Sequence, residues 1–206
     1  MPRRFIAPLG RTPVWLARRP RWPRCAGLCV ALIASLLTGC AGLRSRAVPA
    51  GQAEFELTAR IAVRYGKQAS SGNVAWRHAA AADDMLITSP LGQGIARIVR
   101  VGDTVTLTTS DDRRYQARDA ESLTERVLGF RLPLRGLADW VRGRPEPGAA
   151  AQTRYDAGGR LVELKQSGWR VEYLAYAAAG GMPTRLTLTY PGLELRLAIN
   201  QWRPMP

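Results

Sequence analysis

From Phe55 the chain alternates apolar and polar residues with a period of two: Phe55, Leu57, Ala59, Ile61, Val63 and Tyr65 are interleaved with Glu56, Thr58, Arg60, Ala62 and Arg64. Successive side chains of an extended strand point to opposite faces, so this run predicts one long strand, buried on one side and solvated on the other. Shorter alternating runs follow over 72–78, 84–88, 94–101, 104–109 and 113–117. Turn chemistry separates them, most sharply at Gly66-Lys67, Ser89-Pro90-Leu91-Gly92 and Gly102-Asp103. Connections this short leave no room for helical crossovers, so the strands pair antiparallel as a meander.

The period changes once. Asp119 followed by Ala120-Glu121-Ser122-Leu123-Thr124-Glu125-Arg126-Val127-Leu128 reads as an N-capped helix with acid in its first turns, ending near Gly129. A second helix is predicted over 134–142, with Leu134, Leu137, Trp140 and Val141 on one face, stopped by Gly143, Pro145 and Pro147. Five further strands are predicted over 153–156, 160–166, 169–176, 184–190 and 193–202. The fold class is therefore mainly β (α+β), about eleven antiparallel strands with two short helices inserted midway. Two helices cover only part of so large an apolar face, which predicts an apolar cavity between sheet and helices. The stripe of Leu134, Leu137, Trp140 and Val141 is read either as a lid over that cavity or as an ordinary core helix.

Ahead of the strands, the apolar run from Ala26 ends in Leu37-Thr38-Gly39-Cys40. A Leu, two small residues and a Cys after an apolar run too short to span a bilayer have the form of a lipobox, in which the Cys is acylated and becomes the new N-terminus. Residues 1–39 are then a lipoprotein signal peptide, 40–51 the acylated N-terminus with a small, polar tether, and 52–206 a single domain with a sizeable core. Seven arginines and no acid lie in residues 1–39, so the formal charge of +14 falls to +7 in the mature chain. What remains is spread singly, which argues against nucleic acid as a partner and leaves a weak attraction to anionic lipid.

Catalytic chemistry is not advertised. Cys25 and Cys29 leave with the signal and Cys40 is acylated, so no thiol remains for a disulfide, a metal or a nucleophile. The one His, His78, sits at a predicted strand end and reads as a packing residue, and the carboxylates show no recognisable pairing. No phosphate loop or hydrolase motif is present, and no metal or cofactor is expected.

Three pieces carry a family resemblance: Ser89-Pro90-Leu91-Gly92 between two strands, the helical stretch Leu132-Pro133-Leu134-Arg135-Gly136-Leu137-Ala138-Asp139-Trp140-Val141-Arg142-Gly143, and the closing run from Leu193 to Trp202. Together they resemble LolB, the outer-membrane receptor that accepts lipoproteins from a periplasmic carrier. The resemblance covers nearly the whole mature chain. It implies an unclosed antiparallel barrel of eleven strands under a helical lid, an apolar cavity for acyl chains, and transfer without catalysis. It also implies a periplasmic carrier, cargo lipoproteins and outer-membrane lipid as partners of a monomer lipid-anchored through Cys40. Leu91, at the tip of its turn, is implied to enter the membrane. Ala41 is not the Asp that retains lipoproteins in the inner membrane of enteric bacteria, so the outer membrane is the implied address. The alternatives left open are a structural envelope-assembly lipoprotein and a lipid-modifying enzyme.

Overall fold

The computed structural model describes residues 53–178 and 181–204. The expected signal segment, Cys40 and its tether lie outside the described residues.

The chain enters its sheet in the middle. Strand β1 (Phe55–Tyr65) pairs with β2 (Gln68–Ala79) on one side and with the last strand, β11 (Leu193–Pro204), on the other. From β2 a meander runs outward through β3 (Ala82–Thr88), β4 (Gly94–Val101), β5 (Thr104–Thr109) and β6 (Arg114–Ala117). Two helices follow, α1 (Ala120–Leu128) and α2 (Leu134–Trp140), and the chain resumes at the opposite edge with β7 (Ala151–Tyr155). It returns to the centre through β8 (Leu161–Gln166), β9 (Trp169–Tyr176) and β10 (Pro183–Tyr190). All these ladders are antiparallel, and the sheet is unclosed, with β6 and β7 as its edges.

This order explains the helices. The two edge strands are consecutive strands in sequence, so the segment joining them must cross from one edge to the other, and it does so carrying α1 and α2. The alternation in β1 sets the inner face: Phe55, Leu57, Ala59, Ile61 and Val63 are buried while the residues between them stay half-buried or exposed. Leu193, Leu195, Leu197 and Ile199 of β11 continue that face, as do Val74 and Trp76 of β2 and Met85 and Ile87 of β3. Burying each large apolar side chain stabilises the fold by about 1.5–3 kcal/mol, so one apolar face with helices upon it is sufficient to organise the domain.

Several boundaries differ from the periodicity. β2 starts at Gln68, four residues before the alternating run, because the two-residue turn at Gly66-Lys67 sets Tyr65 opposite Gln68 and the ladder propagates from there through exposed small residues. β7 covers Ala151–Tyr155, all five of its residues exposed, so no apolar signal marks it. α2 ends at Trp140 because the next turn tightens, the Arg142 amide donating to the Asp139 carbonyl at 3.0 Å and the Gly143 amide to Trp140 at 2.9 Å.

Candidate functional site

The helical segment is locally well determined. Asp119 caps α1, its carboxylate accepting the amides of Glu121 at 3.2 Å and Ser122 at 3.0 Å. Gly129 ends the helix in the left-handed region at φ 82°, its amide donating to the Glu125 carbonyl at 3.0 Å. The buried Thr124 hydroxyl donates to the Ala120 carbonyl and accepts the Leu132 amide, both at 2.9 Å, which turns the connecting loop back and drives Leu132 inward. In α2, a Cβ at Gly136 would lie 2.6 Å from the Trp140 ring, so the absence of a side chain there lets the indole fold against its own helix.

Leu132, Leu137 and Val141 reach down from this segment onto Leu57, Ala59 and Ile61 of β1. Leu195, Leu197 and Ile199 of β11 complete the floor, and Trp76 and Met85 stand at its side. The space left among these side chains is about 20 Å³, enough for no more than a water molecule. The apolar walls expected between sheet and helices are in place, but the side chains of Leu132, Leu137 and Val141 pack between them as core residues and leave almost no open cavity.

The helical segment is fixed mainly at the end of α2. The Trp140 indole N–H donates to Gln166 Oε1 at 2.8 Å, and the Tyr173 hydroxyl donates to the Trp140 carbonyl at 2.9 Å. Burial pushes the Tyr173 phenol well above its ordinary pKa, so it remains a donor. Gln166 also accepts the Glu146 amide at 2.9 Å and donates to the carbonyls of Glu146 and Ala149 at 2.8 and 3.0 Å, using both lone pairs and both N–H groups. Arg142 donates to Glu54 at 2.9 Å and to Asp139 at 3.0 Å, with its guanidinium 5.4 Å from the Phe55 ring centroid.

Of the four candidate lid residues read from the spacing, Leu137 and Val141 line this small apolar space. Leu134 and Trp140 are equally buried but border a neighbouring cleft that also includes Arg100, Glu121 and Glu146. Leu132, which precedes the helix and so escaped the helical pattern, lines the cavity in their place.

Leu91 is 91 % exposed. The Gly92 amide donates to the Ser89 carbonyl at 2.9 Å, closing a turn with Pro90 and Leu91 at its corners, and Gly92 adopts φ 86°. Asn73 Nδ2 donates to the Ser89 carbonyl at 3.2 Å, fixing the turn to β2.

One polar cluster was not visible in the spacing. His78 is buried and pairs across the sheet with Asp83, which in turn pairs with Arg100, all three on the inner face. Asp83 Oδ1 accepts from Trp76 Nε1 at 2.9 Å and lies 2.7 Å from His78 Nδ1, while Oδ2 accepts from Arg100 Nε at 2.5 Å. The sequence shows no catalytic pairing of carboxylates, and this one is held by structural partners on every side. The signal lay in the hairpin Ala79-Ala80-Ala81-Ala82, whose two-residue turn sets position 78 opposite 83. With its oxygens engaged by three partners, Asp83 serves to satisfy a buried cation, and no reacting atom has access to it.

The family model described as Outer membrane lipoprotein LolB matches residues 53–202. An outer-membrane lipoprotein LolB from Thiobacillus denitrificans is 38% identical over 184 residues, covering 86% of this chain and 98% of its own length. One from an Azoarcus species is 41% identical over 180 residues, covering 84% and 92%. A solved structure of a LolA superfamily protein from Nitrosomonas europaea is similar over 75% of this chain and 88% of its own, with 12% identity and a TM-score of 0.48.

Proposed function

The chain belongs to the LolB family of outer-membrane lipoproteins, and from that premise we propose that it receives lipoproteins from a periplasmic carrier by taking their acyl chains beneath the helical lid, and then releases them into the outer membrane. The observation that carries this reading is the apolar space between β1, β11 and the segment holding Leu132, Leu137 and Val141. Cys40 is acylated in this reading, and residues 40–51 tether the domain to the bilayer.

The closed cavity bears on how such a receptor can both bind and let go. Each methylene moved from water into the site contributes roughly 0.8 kcal/mol. An entering chain must first displace Leu132, Leu137 and Val141, so lid opening offsets part of that gain. When the chain leaves, the lid closes and re-buries the walls. Affinity is thereby held between that of the carrier and that of the bilayer. A difference of about 1.4 kcal/mol at each step gives a tenfold bias, so transfer needs no covalent step and no nucleotide.

The test is incubation of the protein, without Cys40 acylation, with a lipoprotein carrying labelled acyl chains on its carrier. The label moves to the receptor if the reading holds. Label that stays on the carrier at equilibrium refutes it and favours a structural role in the envelope.

A further inference from the structure

We infer that the outer face of the sheet beside the Ser89 to Gln93 turn is a docking groove for the phosphates of an anionic phospholipid bilayer; this rests on the proposed release into the membrane and gives that step a surface. Arg60 of β1 lies opposite Ala198 of β11, and Ala198 lies opposite Arg185 of β10. In the next row, Arg196 of β11 sits between Ala62 and Thr187. Three exposed guanidinium groups therefore surround two alanines, and the small side chains leave a groove of about 590 Å³ between the arginines. Arg196 is paired with Glu194 at 2.9 Å, whereas Arg60 and Arg185 have no ion-pair partner among the described residues. Among the described residues no carboxylate lines the groove itself, the nearest described ion-pair partner being Glu194 on Arg196.

The ends of the groove select the ligand. Pro90, next to Leu91, lines one side, and Leu174, 64 % exposed, lines the other. A soluble anion would satisfy the arginines but offers nothing to two exposed leucines. A bilayer surface supplies both partners, phosphates in a plane for Arg60, Arg185 and Arg196 and acyl chains just below for Leu91 and Leu174. Guanidinium groups hold phosphate oxygens bidentately, and the attraction weakens with salt, as expected for a surface within a Debye length of lipid charge.

The experiment uses the mature acylated protein in vesicles, carrying Leu174→Cys labelled with an environment-sensitive dye; Cys40 is blocked by its lipid, so the new thiol is unique. A parallel sample carries the label through Leu91→Cys. With vesicles containing phosphatidylglycerol, the label at 174 is expected to be quenched by brominated lipid, and with phosphatidylcholine alone it is expected to stay in water. Arg60→Gln and Arg185→Gln should each reduce that contact about five-fold while leaving the label at 91 in lipid. A label at 174 that remains in water on anionic vesicles while that at 91 is quenched overturns the groove and leaves the membrane role of Leu91 standing. If both remain in water, both fall. If the double Gln variant keeps its lipid contact but no longer takes cargo from the carrier, the groove belongs to the carrier and the assignment to lipid is overturned.

Discussion

The indole N–H of Trp140 meets the side-chain oxygen of Gln166 at 2.8 Å, joining the last residue of α2 to the last residue of β8 across 26 positions of sequence. Because the same Gln166 also holds Glu146 and Ala149, it fixes the helix and the loop that follows it to one strand. Gln166→Leu removes the acceptor and leaves the buried Trp140 N–H and the Glu146 backbone unpaired, at a cost of about 1–3 kcal/mol. The expected outcome is a lower melting temperature together with faster amide exchange confined to residues 134–149. Uniform exchange across all strands would instead mean that the bond supports the whole sheet and not α2 with the loop after it.

Gly136 supplies a second handle on the same contact. Gly136→Ala places a methyl against the Trp140 ring and forces the indole to move, although Ala is the better helix former by about 1 kcal/mol. Overpacking of this kind costs about 1–3 kcal/mol, so net destabilisation and a red-shifted Trp140 emission are expected. A gain in melting temperature would show that the ring adapts freely.

Asp83→Ala should be the most damaging single change to the sheet interior. It leaves Arg100, 8 % exposed, as an uncompensated cation beside His78, and breaking a buried pair in this way costs about 3–5 kcal/mol. Chemical denaturation measures it. A loss below about 1 kcal/mol would mean that water enters and solvates Arg100.

The first turn of α1 responds to acid. The Ser122 side-chain hydrogen bond, with the backbone amides of Ser122 and Glu121, holds the Asp119 carboxyl below its ordinary range. A group whose folded pKa is depressed contributes stability above its unfolded pKa and loses it as pH falls through the folded value. Asp119→Asn, an equally good cap, should match the parent near neutral pH and lack that part of the acid-induced loss. Parallel stability curves from neutral pH down through the carboxylate range would contradict this.

How much of this was legible before the structure follows from what each residue has to do. β1 and β11 were readable because one face of each is buried over most of its length, from Phe55 to Val63 and from Leu193 to Ile199, so their side chains must alternate. β7 was displaced because an exposed edge strand is held by its ladder alone. The apolar stripe of α2 was visible as a helix, but spacing along one helix does not say which of its residues meet β1 and β11, and Leu132 packs there from a loop positioned by Thr124. The Asp83 cluster depends on register between three strands, which pairwise turns determine and composition does not. The turn at Leu91 was the most legible part, since Pro90 and Gly92 act locally and leave little around the residue between them.

Leu91→Glu is expected to separate two stages of the proposed transfer. At 91 % exposure the side chain contributes little to folding, so stability should change by less than about 0.5 kcal/mol. Acceptance from the carrier is expected to stay near the parent's, while incorporation of cargo into liposomes falls, because a carboxylate resists entering hydrocarbon. Equal incorporation by the two proteins would refute a membrane role for this tip, and a fall in acceptance alone would assign Leu91 to carrier docking.

If cargo acyl chains enter the space now filled by Leu132, Leu137 and Val141, a photo-crosslinker placed there will capture them. A diazirine-bearing residue is placed at Leu137, on the inner side of the lid, and in a control at Leu86, which points outward from β3 and is 42 % exposed. Each protein is irradiated after incubation with carrier-bound lipoprotein whose acyl chains are labelled. Label crosslinked at position 137 and only background at 86 are expected. Label at 86 with none at 137 would contradict entry of the chains into that space.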